Sequence, residues 1–132
     1  MKNILIILLL CLSISVSSQD LRFLGIKKAV VIREFANHNY KPIQDKTIGI
    51  RSIVLFPSPD KAFTFISYHF INDTVAYMAF TFKSKRYEKY KKNLKNTSGI
   101  LELGEDTFQD GGVIIEFEQI TDRVASVKYS KK

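Results

Sequence analysis

The chain has a single cysteine, Cys11, and it lies inside an apolar run expected to be cut away, so no disulfide is expected in the mature protein. Exported domains that depend on disulfides are dense in cysteine; this one must rely on an ordinary hydrophobic core. Histidine is almost as scarce: His38 and His69 are the only two. Neither has a His, Cys or carboxylate at ligand spacing, whereas a metal site gathers three or four ligands. There is no G-x-S-x-G serine and no phosphate-cradling glycine loop. No apolar stretch reaches the roughly 20 residues of a transmembrane helix. These absences leave no catalytic residue, no metal ligand and no cofactor to assign.

What is present begins with Lys2, an unbroken apolar run from Ile4 to Leu12, and then Ser13, Ser15, Ser17 and Ser18. A positive start, a short apolar stretch and a small-residue exit predict a secretory signal peptide over residues 1–18. Leu10 is too large to precede a lipid-modified Cys11. The expectation is therefore an exported protein, periplasmic or secreted, with residues 19–132 forming one domain. That length is enough for a core of its own.

The stretch Ala62 to Phe82 holds seven of the sixteen Phe and Tyr residues, interrupted by the polar pair Asn72-Asp73. It predicts a β-hairpin at the centre of a sheet. With Asn72 and Asp73 as a two-residue turn, opposite partners have numbers summing to 145, which pairs Phe65 with Phe80, Ser67 with Met78 and Tyr68 with Tyr77. Both faces of that hairpin come out apolar. An antiparallel hairpin ordinarily wets one face, so both faces are expected to be covered, the second by another layer, a partner or a ligand.

Around the hairpin, residues 21–39 have helical spacing, beginning near Ile26 and ending before Pro42. Thr47 to Phe56 alternates as one strand, closed by Pro57-Ser58-Pro59-Asp60. Ser84 is placed to cap a helix running to Asn96, with Tyr87, Tyr90 and Leu94 inward. Strands follow at Ile100–Leu103, Val113–Ile120 and Val124–Tyr129, with a loop from Gly104 to Gly112 and a frayed end at Lys131-Lys132. The reading is an α+β fold in two layers, a mostly antiparallel sheet with two helices in the order α-β-β-β-α-β-β-β.

The net charge of +7 is concentrated. Lys83 to Lys95 carries seven cations and one anion, and Gly99 to Asp122 carries seven anions and no cation. On the second helix Lys85, Lys89 and Lys92 share one face. Lys83, Lys85 and Arg86 crowd its positive end, where cations are disfavoured by roughly 0.3 to 1 kcal/mol each. Lys83, Lys85, Arg86, Lys89 and Lys92 are thus candidates for binding an anion or a charged partner; the competing reading is a solvated face relieved by the acidic segment. Glu105, Asp106 and Asp110 do not alternate as a calcium loop requires.

The leading expectation is a non-catalytic exported binding or accessory domain. It would act through the basic helix or an open sheet face that meets a protein partner or a second copy. Nucleic acid is not an expected partner, because the aromatics belong to the sheet rather than to a stacking platform. The alternatives are an inhibitor or immunity-type protein matching a charged partner, and a small hydrolase whose cleft gathers His69 or the loop acids.

Overall fold

The computed structural model describes residues 23–132; the expected signal peptide lies outside them. The chain reaches the sheet before its first helix. Gly25, at φ +83, donates its N–H to the Val75 carbonyl at 2.9 Å, and Val75 returns a bond to Ile26 at 2.8 Å. A positive φ is easily adopted only by glycine, so this docking depends on it.

Helix α1, Lys28–Asn37, buries Val31 and Phe35. Its β-branched run Val30-Val31-Ile32 suits a strand as well, yet the i, i+4 pair facing the sheet decides for helix. Phe35 stacks on Phe56 at 3.9 Å between ring centroids and meets Tyr68 edge-on at 5.6 Å. The helix stops at Asn37, five residues before Pro42. Asn39 turns left-handed at φ 65, Asn39 N–H reaches the Ala36 carbonyl, and Tyr40 N–H reaches that of Phe35. This is a Schellman ending, completed by the ring contact of Tyr40 with Phe35.

Strand β1, Gln44–Ile48, and strand β2, Arg51–Pro57, come from the segment read as one strand. Gly49, at φ +62, opens a two-residue turn with Ile50 that pairs Ile48 with Arg51. Glycine first in a two-residue hairpin loop is the type II′ pattern. In consequence Ile48 and Ile50 stand at an exposed tip, 71% and 61% accessible, while Val54 and Phe56 enter the core.

Strands β3, Phe65–Ile71, and β4, Thr74–Lys83, form the expected hairpin. Asn72 and Asp73 take φ 52 and 61, so both supply the left-handed backbone that a type I′ turn needs without glycine. Next to the turn the expected pairing holds, with Ile71 opposite Thr74 and Phe70 opposite Val75. Between His69 and Phe70 the register shifts, leaving Ala76 unpaired and setting Tyr77 opposite His69 and Phe80 opposite Ile66. A single bulged residue transfers everything beyond it to the other face. Met78, Phe80 and Phe82 therefore join Ile66, Tyr68 and Phe70 in the core. The outer face receives Phe65, Ser67, His69, Tyr77, Ala79 and Thr81, each half-buried. The expectation of two apolar faces is corrected by this shift.

A single 3₁₀ turn, Ser84–Arg86, leads into helix α2, Tyr87–Lys95. Strand β5, Leu101–Glu102, is followed by β6, Thr107–Asp110, inside the segment read as a loop, then β7, Val113–Gln119, and β8, Val124–Lys131. The final strand runs on to Lys131 rather than fraying, and Lys132 N–H still bonds the Gly112 carbonyl.

The eight strands form one antiparallel sheet in the order β1-β2-β3-β4-β8-β7-β6-β5, with the β3–β4 hairpin beside its middle. Helix, strand group, helix, strand group is the sequence-derived order, and each strand group holds four strands rather than three. Both helices set their inward rings against the same side of the sheet: Phe35 on Phe56 and Tyr68, Tyr90 on Phe82, and the partly buried Tyr87 on Phe117. Among the described residues no helix is long and apolar enough to cross a membrane.

Candidate binding surface

The second helix is built so that its sides meet three different environments. Inward, the Tyr90 ring packs 4.9 Å from Phe82, and its hydroxyl donates to the Ala62 carbonyl at 2.8 Å. That bond ties the helix to the loop before β3. Arg86 donates to the same hydroxyl at 3.3 Å, so of the candidate cations it is the one turned partly toward the protein. Leu94 completes the buried stripe.

On one flank lies the loop between β5 and β6. Asp106 Oδ1 accepts from Tyr87 Oη at 2.7 Å and from Lys91 Nζ at 2.8 Å. Lys91 is only 7% exposed, and its ammonium also sits 5.1 Å from the Tyr87 ring centroid. Those two donated bonds hold the Asp106 carboxyl below its ordinary range, with burial acting in opposition. The bond to Asp106 raises the Lys91 ammonium. Burial, followed by the bond to Asp106, raises the Tyr87 hydroxyl. One turn further, Lys95 faces Glu102 at 3.7 Å. The acidic segment thus neutralises this flank, as the competing sequence reading anticipates, but only this flank.

The side opposite the core carries Lys85, Lys89 and Lys92, all exposed, with exposed Lys83 just before the 3₁₀ turn. Among the described residues none of these four has a carboxylate within salt-bridge distance. Ser84 does not cap the helix. Its hydroxyl accepts from Gln119 Nε2, and its N–H bonds the Arg123 carbonyl, which fixes the helix entrance to the β7–β8 turn instead. Glu88 in the first turn and Lys92 and Lys95 in the last complement the helix dipole.

The remaining chemical residues are dispersed. His38 Nδ1 lies 3.0 Å from the Glu34 carbonyl at the end of α1. Asp106 is occupied by α2, Glu105 is exposed, and Asp110 lies on β6 with its carboxyl raised by burial. Among the described residues no three His, Cys, Asp or Glu side chains converge as a metal site.

On the outer sheet face a ladder crosses four strands. His69 stacks on Tyr77 at 4.1 Å, Lys128 lies 4.9 Å from the Tyr77 ring centroid, and Lys128 faces Glu116 at 3.3 Å. Ser67 Oγ is 3.1 Å from His69 Nε2, as their i, i+2 spacing on β3 allows, whereas the unbulged pairing conceals Tyr77 as the partner of His69. Burial and then the Lys128 charge lower the His69 imidazole to about 4. At neutral pH such a group is a poor match for general-base work, which favours a pKa near the operating pH.

No family model matches the chain, and neither a curated protein nor a solved structure is similar to it at a significant level.

Proposed function

We propose that the protein is an exported, two-layer, non-catalytic binding domain that recognises an anionic partner through the outward stripe that runs from the end of β4 along α2, Lys83, Lys85, Lys89 and Lys92. The observation that carries the reading is the asymmetry of this helix. Lys91 and Lys95 are matched by Asp106 and Glu102, whereas the four stripe cations have no carboxylate partner among the described residues. Unmatched like charges along one ridge repel one another, and an anionic partner relieves that repulsion. The outer sheet face supports recognition less well, because its central groups His69, Tyr77, Lys128 and Glu116 already engage one another. The dispersal of His69 on β3, Asp106 in the β5–β6 loop and Asp110 on β6 speaks against the hydrolase alternative.

The test is retention on immobilised sulfated dextran, a plain polyanion, at low and high salt. The variant K85Q/K89Q/K92Q is compared with K41Q/K46Q/K132Q, which removes the same charge from exposed positions elsewhere. The stripe variant is expected to elute at much lower salt than the control. Equal elution of the two variants overturns the reading, since net charge alone then explains retention.

A further inference from the structure

The shape and composition of this surface narrow the kind of anion it takes. Lys89 and Lys92 stand on the convex side of α2, whose opposite side packs into the core, and Lys85 in the 3₁₀ turn and Lys83 at the end of β4 precede them, so the four ammonium groups form a ridge rather than a converging pocket. A small anion needs donors that converge, whereas an extended array of negative charges meets a ridge as well as a groove. Lys85 to Lys92 covers about 10 Å at 1.5 Å per residue, enough for several neighbouring charges.

The residues beside the lysines narrow it further. Tyr90 and Leu94 are buried, and Tyr87 is held by Asp106 and Phe117. No aromatic side chain of α2 is thus presented next to the stripe. Binding of single-stranded nucleic acid uses aromatic platforms for the bases. Tight protein interfaces centre on aromatic or arginine anchors in desolvated pockets, and Arg86 is drawn back toward Tyr90. A surface of lysines without an anchor instead suits a partner offering many equivalent, hydrated, mobile charges.

On these grounds we infer that α2 lies flat on an anionic phospholipid surface, its lysine stripe facing the headgroups and its apolar side remaining in the protein core. The inference rests on the anionic-partner reading above and names the partner. Attachment of this kind is electrostatic and without insertion, so salt screens it. It differs from that of an interfacial amphipathic helix, whose apolar face enters the lipid.

The experiment is flotation of the full chain with vesicles of phosphatidylcholine, with and without phosphatidylglycerol, at low and high salt. The expected result is binding to the phosphatidylglycerol vesicles alone, reversed by salt. Each lysine near such a surface contributes about a fivefold factor, so K85Q/K89Q/K92Q is expected to bind roughly a hundredfold more weakly. The control K41Q/K46Q/K132Q should lose far less.

Equal binding to both vesicle types overturns the inference, because the apolar run Ile4 to Leu12 or another apolar contact is then responsible. Equal losses in the two variants overturn it as well. If the chain ignores phosphatidylglycerol yet keeps stripe-dependent retention on sulfated dextran, the lipid inference fails and the anionic-partner reading stands. If both supports fail to distinguish the variants, both fall.

Discussion

On the inner side of the sheet Phe56, Tyr68, Phe70, Phe80 and Phe82 are closed over by the rings of α1 and α2, and each is under 3% exposed. On the outer side of the same strands Ser67, His69, Tyr77 and Ala79 stay half-buried, with Leu55 and Ile53 of β2 and Lys128 and Ser130 of β8 as their cross-strand neighbours. The difference shows that an aromatic-rich hairpin does not need two covering layers. A β3–β4 pair with one bulge concentrates most of its large side chains on one face and leaves the other, Phe65 apart, to small or amphiphilic residues. Such residues can stack and still meet water.

The largest effect should come from breaking the inner face. Phe80→Ala removes a side chain 2% exposed, against Phe63 at 4.9 Å and Tyr129 at 5.5 Å. A cost of about 3 to 5 kcal/mol is expected, as for other buried aromatic truncations. Tyr77→Ala, on the outer face, should cost about 1 kcal/mol or slightly more, mainly the loss of its ring contacts. Urea denaturation of the two variants measures the contrast, and equal costs would mean that the faces are not energetically distinct.

Next in size is the attachment of α2 on the inner side. Asp106→Ala leaves Tyr87 and the buried Lys91 without their shared acceptor. Removing one partner of a mostly buried hydrogen-bonded set costs about 1 to 3 kcal/mol. Lys89→Ala, on the outward stripe of the same helix, should change stability by less than about 0.5 kcal/mol. Thermal unfolding of both variants gives the comparison.

The outer face should register pH where the inner face does not. The folded pKa of His69, about 4, lies below its ordinary value of 6.5, so protonation favours the unfolded chain. Its effect on stability is absent above pH 6.5, and stability is lost as pH falls from there through 4. The half-exposed setting moderates the size. His69→Asn should flatten this part of the stability profile in urea titrations across that range. A variant profile parallel to wild type would place the pH sensitivity elsewhere, among the carboxylates that titrate at lower pH.

Much of the fold could be read from residue pattern because the pattern and the packing agree. Val31 and Phe35 mark the inner stripe of α1, Tyr90 and Leu94 that of α2, and Ile115 and Phe117 the buried side of β7. Gly49 carried a readable signal that alternation overrode: glycine followed by one residue between two strand-like runs is a hairpin turn, and it split the expected strand in two. Strand β6 was obscured because Thr107–Asp110 buries only Phe108. The paired flank of α2 was legible as a basic segment followed by an acidic one, but which lysines it takes depends on the loop that brings Asp106 beneath Tyr87. The outer ladder was not legible at all, since no residue type announces a bulge and the pairing of His69 follows entirely from one.

That bulge supplies the finest test. Deleting Ala76 removes the unpaired residue, so Val75 opposite Phe70 and Tyr77 opposite His69 become consecutive pairs and every inner side chain stays inward. The deletion should fold, at a cost of about 1 kcal/mol or less, reflecting mainly the altered twist. Deleting Ala79 removes a residue of equal size from the same strand, yet it must expel either Met78 or both Phe80 and Phe82 from the core, unless another side chain is forced in. That change should cost about 2 to 5 kcal/mol. Urea unfolding of the two deletions, read alongside the near-ultraviolet circular dichroism of the packed rings, separates them. If the Ala76 deletion is as damaging as that of Ala79, then the bulge itself, rather than the face assignment it produces, is what the hairpin requires.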